Sequence, residues 1–464
     1  MSKGVNQSSV SGMRVMVEHL LQLPARVLEG RLGECATLAL LDTMGCGLYG
    51  SQQPWGKILS DQIREEASQG KASLWGAACC VAPSRAALAN GTASHGFELD
   101  DIIQGALVHP GACVIPAALA VAEQSGASGE RLLRGIIAGY EVMSRVGWAL
   151  GAEHNTRGYH TTGVAGPIAA TVAAGLVLQM DVESILSAIG VACSSAGGIK
   201  AFTQGTGGMV KRMHAGRAAE TGVLSCQLVQ RGFTGPLSAV DGHFGLLEVI
   251  GGADRNPSAL TADLGRDYAI EKVWVKAYPC CGLIHSVSHA IESIKKQTAF
   301  APEDIEKIIV STSQRAVEHN GEPNPQEAMS AQYSIPYCAG VAAVKNPRDP
   351  AGFDAEGLKD PRVRRVAALT QLQIDEKMDA LYPAHFAARV EIQFTQARQM
   401  QCTVIDPHGT AADACDRAEI EAKFRLLAKP VQSAPRIEQM LLAVSQLQGC
   451  PNTADLSAAL QAST

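Results

Sequence analysis

The stretch from Gly205 to Gly222, GTGGMVKRMHAGRAAETG, concentrates the side chains of this sequence that are best suited to chemistry. Its first glycines, Gly207 and Gly208 among them, let backbone amides approach a ligand closely, and such amides form an anion site. Lys211 and Arg212 add positive charge beside them. Because the stretch has neither the GxxxxGK[ST] pattern nor a dinucleotide fingerprint, it favours a carboxylate-bearing metabolite over a nucleotide.

The same residues also fit a simpler interpretation, in which a surface loop leads into a core helix packed through alanine and glycine. The spacing predicts that this helix starts near Met213 and continues to Gln230. We expect His214 and the run AGRAA to seat the helix, while the glycine turn aims Lys211 into a pocket.

Other side chains able to move protons are spread along the chain. Three carboxylates, Glu98 among them, follow a histidine in HGFELDD, where they could share a helix face with it or simply cap a solvated turn. Histidine and tyrosine transfer protons near neutral pH, and cations hold carboxylates and stabilise enolate-like charge. The set therefore predicts proton abstraction next to a carboxylate, and its members are His109, His160, Lys211, His214, His285 and Tyr333.

Composition narrows the class of protein. The chain has 464 residues, 46% hydrophobic and 18% charged, which predicts a well-buried protein with two unequal domains. Lysine and arginine number 39 against 45 acidic residues, for a net charge of -6, so no nucleic-acid partner is expected.

The thirteen cysteines are scattered through apolar surroundings, which is typical of reduced thiols in a cytoplasmic protein. No CxxC pair or Cys/His quartet occurs, so the sequence predicts neither a structural zinc nor a cysteine-ligated cluster. The first residues lack an apolar signal-peptide core, and no long uninterrupted apolar run appears. We therefore expect a cytoplasmic protein without a membrane partner.

Periodicity divides the chain into a large helical domain at 1–269, a small α+β domain at 270–405 and a return to the large domain at 406–464. Helices are predicted at Pro83–His95 and from about Cys113 to Gln124. Alternating apolar residues predict strands in the small domain at Ile305–Ser313, Ala388–Gln396 and Met400–Asp406. A cleft between the domains could bring the candidate residues together.

Landmarks along nearly the whole chain resemble the MmgE/PrpD family, which includes 2-methylcitrate dehydratases, cis-aconitate decarboxylases and iminodisuccinate epimerases. They are ANGTASHGFELDD, LVHPG, GYHTTGVAGPIAA, MVKRMHAGRAAETGVL, QRGFTGP, KAYPCCGLIH, SAQYSIPY and EIEAKFRLLA. The resemblance implies a mainly helical large domain built from both chain ends, an α+β lid domain, a homodimer, and a catalytic cleft without a metal or organic cofactor.

The resemblance also implies roles for individual residues. Glu98 stands where decarboxylase and dehydratase members usually have Asp, and Ile102 where they often have Thr, so the polarity of this pocket differs. Glu98, Arg212, Gly207 and Gly208 are expected to bind substrate. The residues that match the family's catalytic positions are His109, His160, Lys211, His285 and Tyr333.

Three hypotheses for function follow. The first is a cofactor-independent lyase that acts on a small di- or tricarboxylate by eliminating water or carbon dioxide. The second is an epimerase that removes and returns a proton at a carbon bearing a carboxylate. The third is a metabolite-binding protein without catalysis, since a fold does not fix a function.

Overall fold

The computed structural model describes residues 11–203, 208–395 and 397–460, so Gly207 lies outside the described residues. Contacts divide the described part of the chain into two compact units. Among the described residues, the large unit comprises those within 11–96, 101–273 and 420–460, and the small unit comprises those within 97–100 and 274–419. The domain limits that periodicity gives, at 269/270 and 405/406, stay predictions.

The large unit is built from helices and one short antiparallel strand pair, β1 (Ala72–Ser73) with β2 (Cys80–Val81). Among the described residues, no helix combines the length and apolar character needed to cross a bilayer. The first helices of the large unit are α1 (Gly12–Leu21), α2 (Arg31–Ser51), α3 (Pro54–Glu65), α4 (Pro83–Ser94), α5 (Pro110–Ser125), α6 (Gly129–Leu150), α7 (Glu153–Thr156), α8 (Thr161–Val177), α9 (Val182–Cys193), α10 (Met209–Val229) and α11 (Leu246–Val249).

The small unit packs helices against a mixed sheet with the strand order β4-β3-β5-β6, in which β3 is parallel to β4 and antiparallel to β5. Its elements are α12 (His285–Gln297), β3 (Ile305–Thr312), α13 (Gln314–Asn320), α14 (Ala328–Gln332), α15 (Ile335–Val344), α16 (Pro361–Ala368), β4 (Thr370–Ile374), α17 (Glu376–Asp379), β5 (Ala388–Phe394) and β6 (Gln399–Val404). The chain ends with α18 (Arg417–Ala428), α19 (Ala434–Gln446) and α20 (Ala454–Leu460). The predicted fold class, mainly α with a smaller α+β part, is confirmed.

Small residues let α10 lie close to both α4 and α8. A Cβ added at Gly216 of α10 would stand 2.3 Å from the carbonyl oxygen of Leu88 on α4. A Cβ added at Gly222 would stand 2.5 Å from Ala170 Cβ on α8. Side chains at either position would force the helices apart, so these glycines set the spacing of the helices that carry the candidate site.

The strands predicted in the small domain are observed as β3, β5 and β6, although Gln396 lies outside the described residues. The edge strand β4 was not predicted, because its sequence TQLQI is short, contains only two apolar residues and is mostly solvent-facing. The prediction that α10 starts near Met213 was wrong, since the helix begins at Met209 and includes Lys211 and Arg212 in its first turn.

Candidate active site

His160 and His214 meet at the start of two helices of the large unit. His160 precedes α8, His214 lies in α10, and their Nδ1 atoms are 2.9 Å apart. When both rings are neutral, one Nδ1 must donate and the other must accept, so the tautomers of the two rings are coupled. The expectation that His214 only seats the helix was incomplete, because it bonds a candidate catalytic residue directly.

His109 is held at the start of α5 by a network built around Asp101. The Nδ1 of His109 lies 2.9 Å from the backbone oxygen of Asp101 and therefore donates its proton there, which leaves the lone pair of a neutral ring on Nε2. The Asp101 carboxylate accepts hydrogen bonds from the Gly111 amide at 2.9 Å and the Tyr140 hydroxyl at 2.6 Å. Asp101 is thus a positioning residue for His109, whereas the sequence indicated it only as one of the three carboxylates in HGFELDD.

His95 completes a group that we call the histidine cluster. It is fully buried at the end of α4, with its ring centre 4.8 Å from that of His109 and 5.9 Å from that of His160. His95 and His214 were not among the predicted catalytic residues. They lie in the family motifs ANGTASHGFELDD and MVKRMHAGRAAETGVL. The members of the cluster are His95, His109, His160 and His214.

Lys211 lies in the first turn of α10 and is 5% exposed. Burial holds the pKa of His160 well below its ordinary 6.5, and the charges of His95, Lys211, His214 and His109 lower it further. Burial and Lys211 likewise lower the pKa of His214. Desolvation and a nearby cation both disfavour imidazolium, so these two rings are neutral at pH 7.

The other predicted anion-binding residues are placed differently from Lys211. Arg212 is buried, with its guanidinium carbon 5.3 Å from the centre of the Trp55 ring in a cation–π arrangement. Gly208 caps the start of α10, and Gly207 falls outside the described residues. Substrate binding by these residues therefore stays a prediction.

Glu98, Lys276 and Tyr333 form a buried polar triad in the small unit. Lys276 Nζ donates to one carboxylate oxygen of Glu98 at 3.1 Å, and the Tyr333 hydroxyl donates to the other at 3.2 Å. Both Glu98 and Lys276 are almost completely buried, and Glu98 adopts a left-handed backbone conformation with φ of 56°. Lys276 was missed, although a lysine inside the apolar run VWVKAYP was a signal that it is paired in the interior.

His285 begins α12 in the small unit and is fully buried. Its Nε2 donates to the backbone oxygen of Cys280 at 3.2 Å, and its ring stands edge-on to Trp274 and Tyr278. A hydrogen-bonded and packed ring has a fixed orientation, which general acid–base chemistry requires. That all the candidate residues share one cleft between domains stays a prediction.

The sequence profile of the MmgE/PrpD N-terminal domain matches residues 16–258, and that of the C-terminal domain matches residues 278–447. The chain belongs to the MmgE/PrpD family. The resemblance seen in its motifs is thereby confirmed. All five candidate catalytic residues lie within the matched ranges.

Several proteins of similar length are related to this chain. A cis-aconitate decarboxylase-like protein, oryM, of Aspergillus oryzae is 29% identical, over 94% of this chain and 93% of the relative. A cis-aconitate decarboxylase of Aspergillus terreus is 27% identical, over 92% of this chain and 90% of the relative. A cis-aconitate decarboxylase of Homo sapiens is 25% identical, over 91% and 89%.

The electrostatic coupling of Lys211 to the histidines predicts a shift in their titration. Lys211→Met removes a cation that disfavours imidazolium, so the pKa values of His160 and His214 should rise toward 6.5. In the native protein His160 and His214 stay neutral below pH 6.5. In the variant, as the pH is lowered, both rings should become protonated at a higher pH than in the native protein. NMR titration of ¹³C-labelled histidine, assigned with His160→Asn and His214→Asn, measures this change. Lys57→Met, at an exposed position of α3, is the control; equal pKa values in both lysine variants would contradict the coupling.

The buried triad predicts a large stability effect. Lys276→Met leaves the Glu98 carboxylate buried without its cation, which should lower the free energy of unfolding by about 3–5 kcal/mol. The double variant Glu98→Gln/Lys276→Met should recover part of that loss, because no charge remains to be buried. Urea denaturation followed by circular dichroism measures both.

The matched control for this pair is Lys359→Met in the same unit, which breaks an exposed pair with Glu356. It should change the free energy of unfolding by no more than about 1 kcal/mol. Equal losses in Lys276→Met and Lys359→Met would argue against a buried ion pair at Glu98.

Proposed function

We propose that this protein is a cofactor-independent lyase that acts on a small di- or tricarboxylate, with decarboxylation of the cis-aconitate type as the leading reaction. The observation that carries the proposal is the hydrogen-bonded pair His160 and His214, whose pKa values are lowered below 6.5 by burial and by the charge of the buried Lys211. The names of the relatives support decarboxylation in particular. Loss of water, as in dehydratases of the 2-methylcitrate type, is the close variant, since it also requires proton transfer at a carbon next to a carboxylate, with the proton removed rather than added.

The decarboxylation requires a group that stabilises charge and a group that delivers a proton. cis-Aconitate carries a carboxymethyl group beside a carbon–carbon double bond. When carbon dioxide leaves, the electron pair of the broken bond forms a new double bond, and the pair of the old one moves to the carbon next to a remaining carboxylate. That carbon then takes a proton, so the protein must hold an enolate-like charge and supply one proton.

We assign the electrostatic part of this task to Lys211 and the proton transfer to the histidines. A cation fixed in a buried position stabilises developing negative charge without reorganisation. His109 has its Nδ1 engaged by the Asp101 carbonyl, and His160 is bonded through Nδ1 to His214, so both rings would act through Nε2. His285 and Tyr333 complete the proposed catalytic set, in which Glu98 orients the Tyr333 hydroxyl.

The test is an NMR screen in deuterated water with cis-aconitate, citrate, 2-methylcitrate and iminodisuccinate. We expect cis-aconitate to lose carbon dioxide and gain deuterium at the carbon next to a remaining carboxylate. Deuterium exchange without loss of water or carbon dioxide would instead select an epimerase. Binding without any turnover across the panel would contradict catalysis.

Lys211→Ala gives the matching test of the site. Removal of one fixed electrostatic donor should reduce kcat/KM about 100-fold, equivalent to about 3 kcal/mol of transition-state stabilisation. Lys57→Ala removes an exposed lysine outside the site and should leave kcat/KM unchanged. Full activity in Lys211→Ala would remove this residue from the mechanism.

We also infer that the protein forms a homodimer through the large unit. Met209, Met213 and Leu224 project from one side of α10 and are 49%, 39% and 45% exposed. Large apolar side chains that face water along one side of a helix are unfavourable in a monomer. In a twofold dimer the same side chains of two copies would pack against each other and be buried.

Sedimentation velocity tests the homodimer. Met213→Glu/Leu224→Glu places two carboxylates on the α10 stripe and should shift the protein to a monomer. Ile58→Glu introduces a carboxylate at an exposed apolar residue of α3 and should leave the dimer intact. A monomeric native protein, or a dimer in the double variant, would overturn the inference.

A further inference from the structure

A compact group of potential metal ligands follows β6 in the small unit. The Nε2 atom of His408 lies 3.6 Å from Cys415 Sγ and 2.8 Å from a carboxylate oxygen of Glu419. One ligand atom from each of these residues lies within 4.8 Å of the others. Imidazole, thiolate and carboxylate together form a ligand set that suits zinc. We call this group the His408 cluster.

The ring of His408 is oriented as a metal ligand requires. Its Nδ1 lies 3.2 Å from a carboxylate oxygen of Asp413, to which it can donate its proton. A neutral ring with its proton on Nδ1 presents a lone pair at Nε2, toward Cys415 and Glu419. Metal-bound histidines usually donate their second ring N–H to a carboxylate or carbonyl in this way.

The spacing of the ligand atoms agrees with tetrahedral zinc. Zinc–sulfur and zinc–nitrogen bonds of about 2.3 and 2.0–2.1 Å at a tetrahedral angle separate sulfur from nitrogen by about 3.5 Å. The observed separation between Cys415 and His408 is 3.6 Å. The nitrogen–oxygen separation for zinc is about 3.3 Å by the same geometry, so the Glu419 oxygen, now at 2.8 Å, would move by about half an ångström.

The charges around the cluster also balance. A Cys415 thiolate and the Glu419 carboxylate neutralise a divalent cation. Arg348 donates to Glu419 at 3.2 Å, and Asp413 supplies one further negative charge, so these two outer groups cancel each other. Arg348 also donates two hydrogen bonds to the Glu292 carboxylate, so the guanidinium charge is shared between Glu419 and Glu292.

The loop that carries His408 is fixed before any ligand binds. The amide of His408 donates to His289 Nδ1 at 3.1 Å, and the carbonyl of Gly409 accepts from the Val275 amide at 3.0 Å. Gly409 has φ of 98°, and an added Cβ would stand 2.0 Å from the Val275 oxygen, so only glycine fits there. Such a preorganised loop reduces the conformational cost of binding.

The geometry points to a zinc site formed by His408 Nε2, Cys415 Sγ and Glu419, with Asp413 orienting the histidine and solvent in the fourth position. All three ligand residues are partly exposed, which gives a cation access. The sequence predicted no structural zinc because it contains no CxxC pair or Cys/His quartet, and the spacing H-x6-C-x3-E belongs to neither pattern. The site is independent of the proposed lyase reaction.

The experiment titrates the full chain, freed of metal with a chelator, with cobalt(II) chloride and then displaces cobalt with zinc chloride. We expect one cobalt per chain, with visible tetrahedral bands and a thiolate-to-cobalt charge-transfer band that zinc abolishes. Cys415→Ser should remove the charge-transfer band, and His408→Gln, which keeps the thiol, should weaken cobalt binding. Asp413→Asn should weaken it about 10–100-fold, the usual cost of losing an outer-shell partner.

Cys402→Ser is the matched control, because Cys402 is a partly buried thiol of the same unit on β6. It should retain the full cobalt spectrum, and circular dichroism should show that every variant is folded. No stoichiometric binding of cobalt or zinc to the native protein would overturn the proposal. A charge-transfer band that survives in Cys415→Ser would overturn it as well.

Discussion

Close packing of α10 against α4 and α8 is the constraint from which the histidine cluster follows. Glycine and alanine at the contacts bring the helix axes near one another, so the ends of the helices converge. His95 at the end of α4, His109 before α5 and His160 before α8 are thereby gathered beside His214 of α10. Packing and chemistry are therefore not alternatives for the stretch that follows Gly208: the small residues pack the helix, and the packing places Lys211.

The two buried lysines illustrate two electrostatic solutions. Lys276 is paired with the Glu98 carboxylate at 3.1 Å, so its charge is compensated inside the small unit. The charge of Lys211 lowers the pKa values of His160 and His214. An ion pair stabilises one arrangement, and a cation near imidazoles keeps them in the neutral form that accepts a proton at neutral pH.

The sequence predicted elements whose cores are periodic and site residues that lie in unusual motifs. Strands β3 and β5 were recognisable because their apolar residues alternate, but β4 is an edge strand with mostly exposed side chains. His160 was recognisable from its polar loop, whereas its bond to His214 depends on how α8 approaches α10, which no local pattern encodes. Asp101 was noted only as one of the carboxylates in HGFELDD and Lys276 was missed for the same reason, since each matters through partners that are distant in the sequence.

The field of Lys211 would couple substrate binding to protonation of the histidine cluster. At neutral pH burial and this cation keep His160 uncharged, which is suited to accepting a proton but not to giving one. A substrate carboxylate held beside Lys211 would offset its charge and add a negative one, and both changes favour imidazolium. Binding would therefore draw a proton onto the cluster, where a decarboxylation needs one for the new carbon–hydrogen bond. Before substrate binds, the charge of Lys211 would keep His160 neutral. Once a substrate carboxylate offsets that charge, a histidine could take up a proton and act as the general acid.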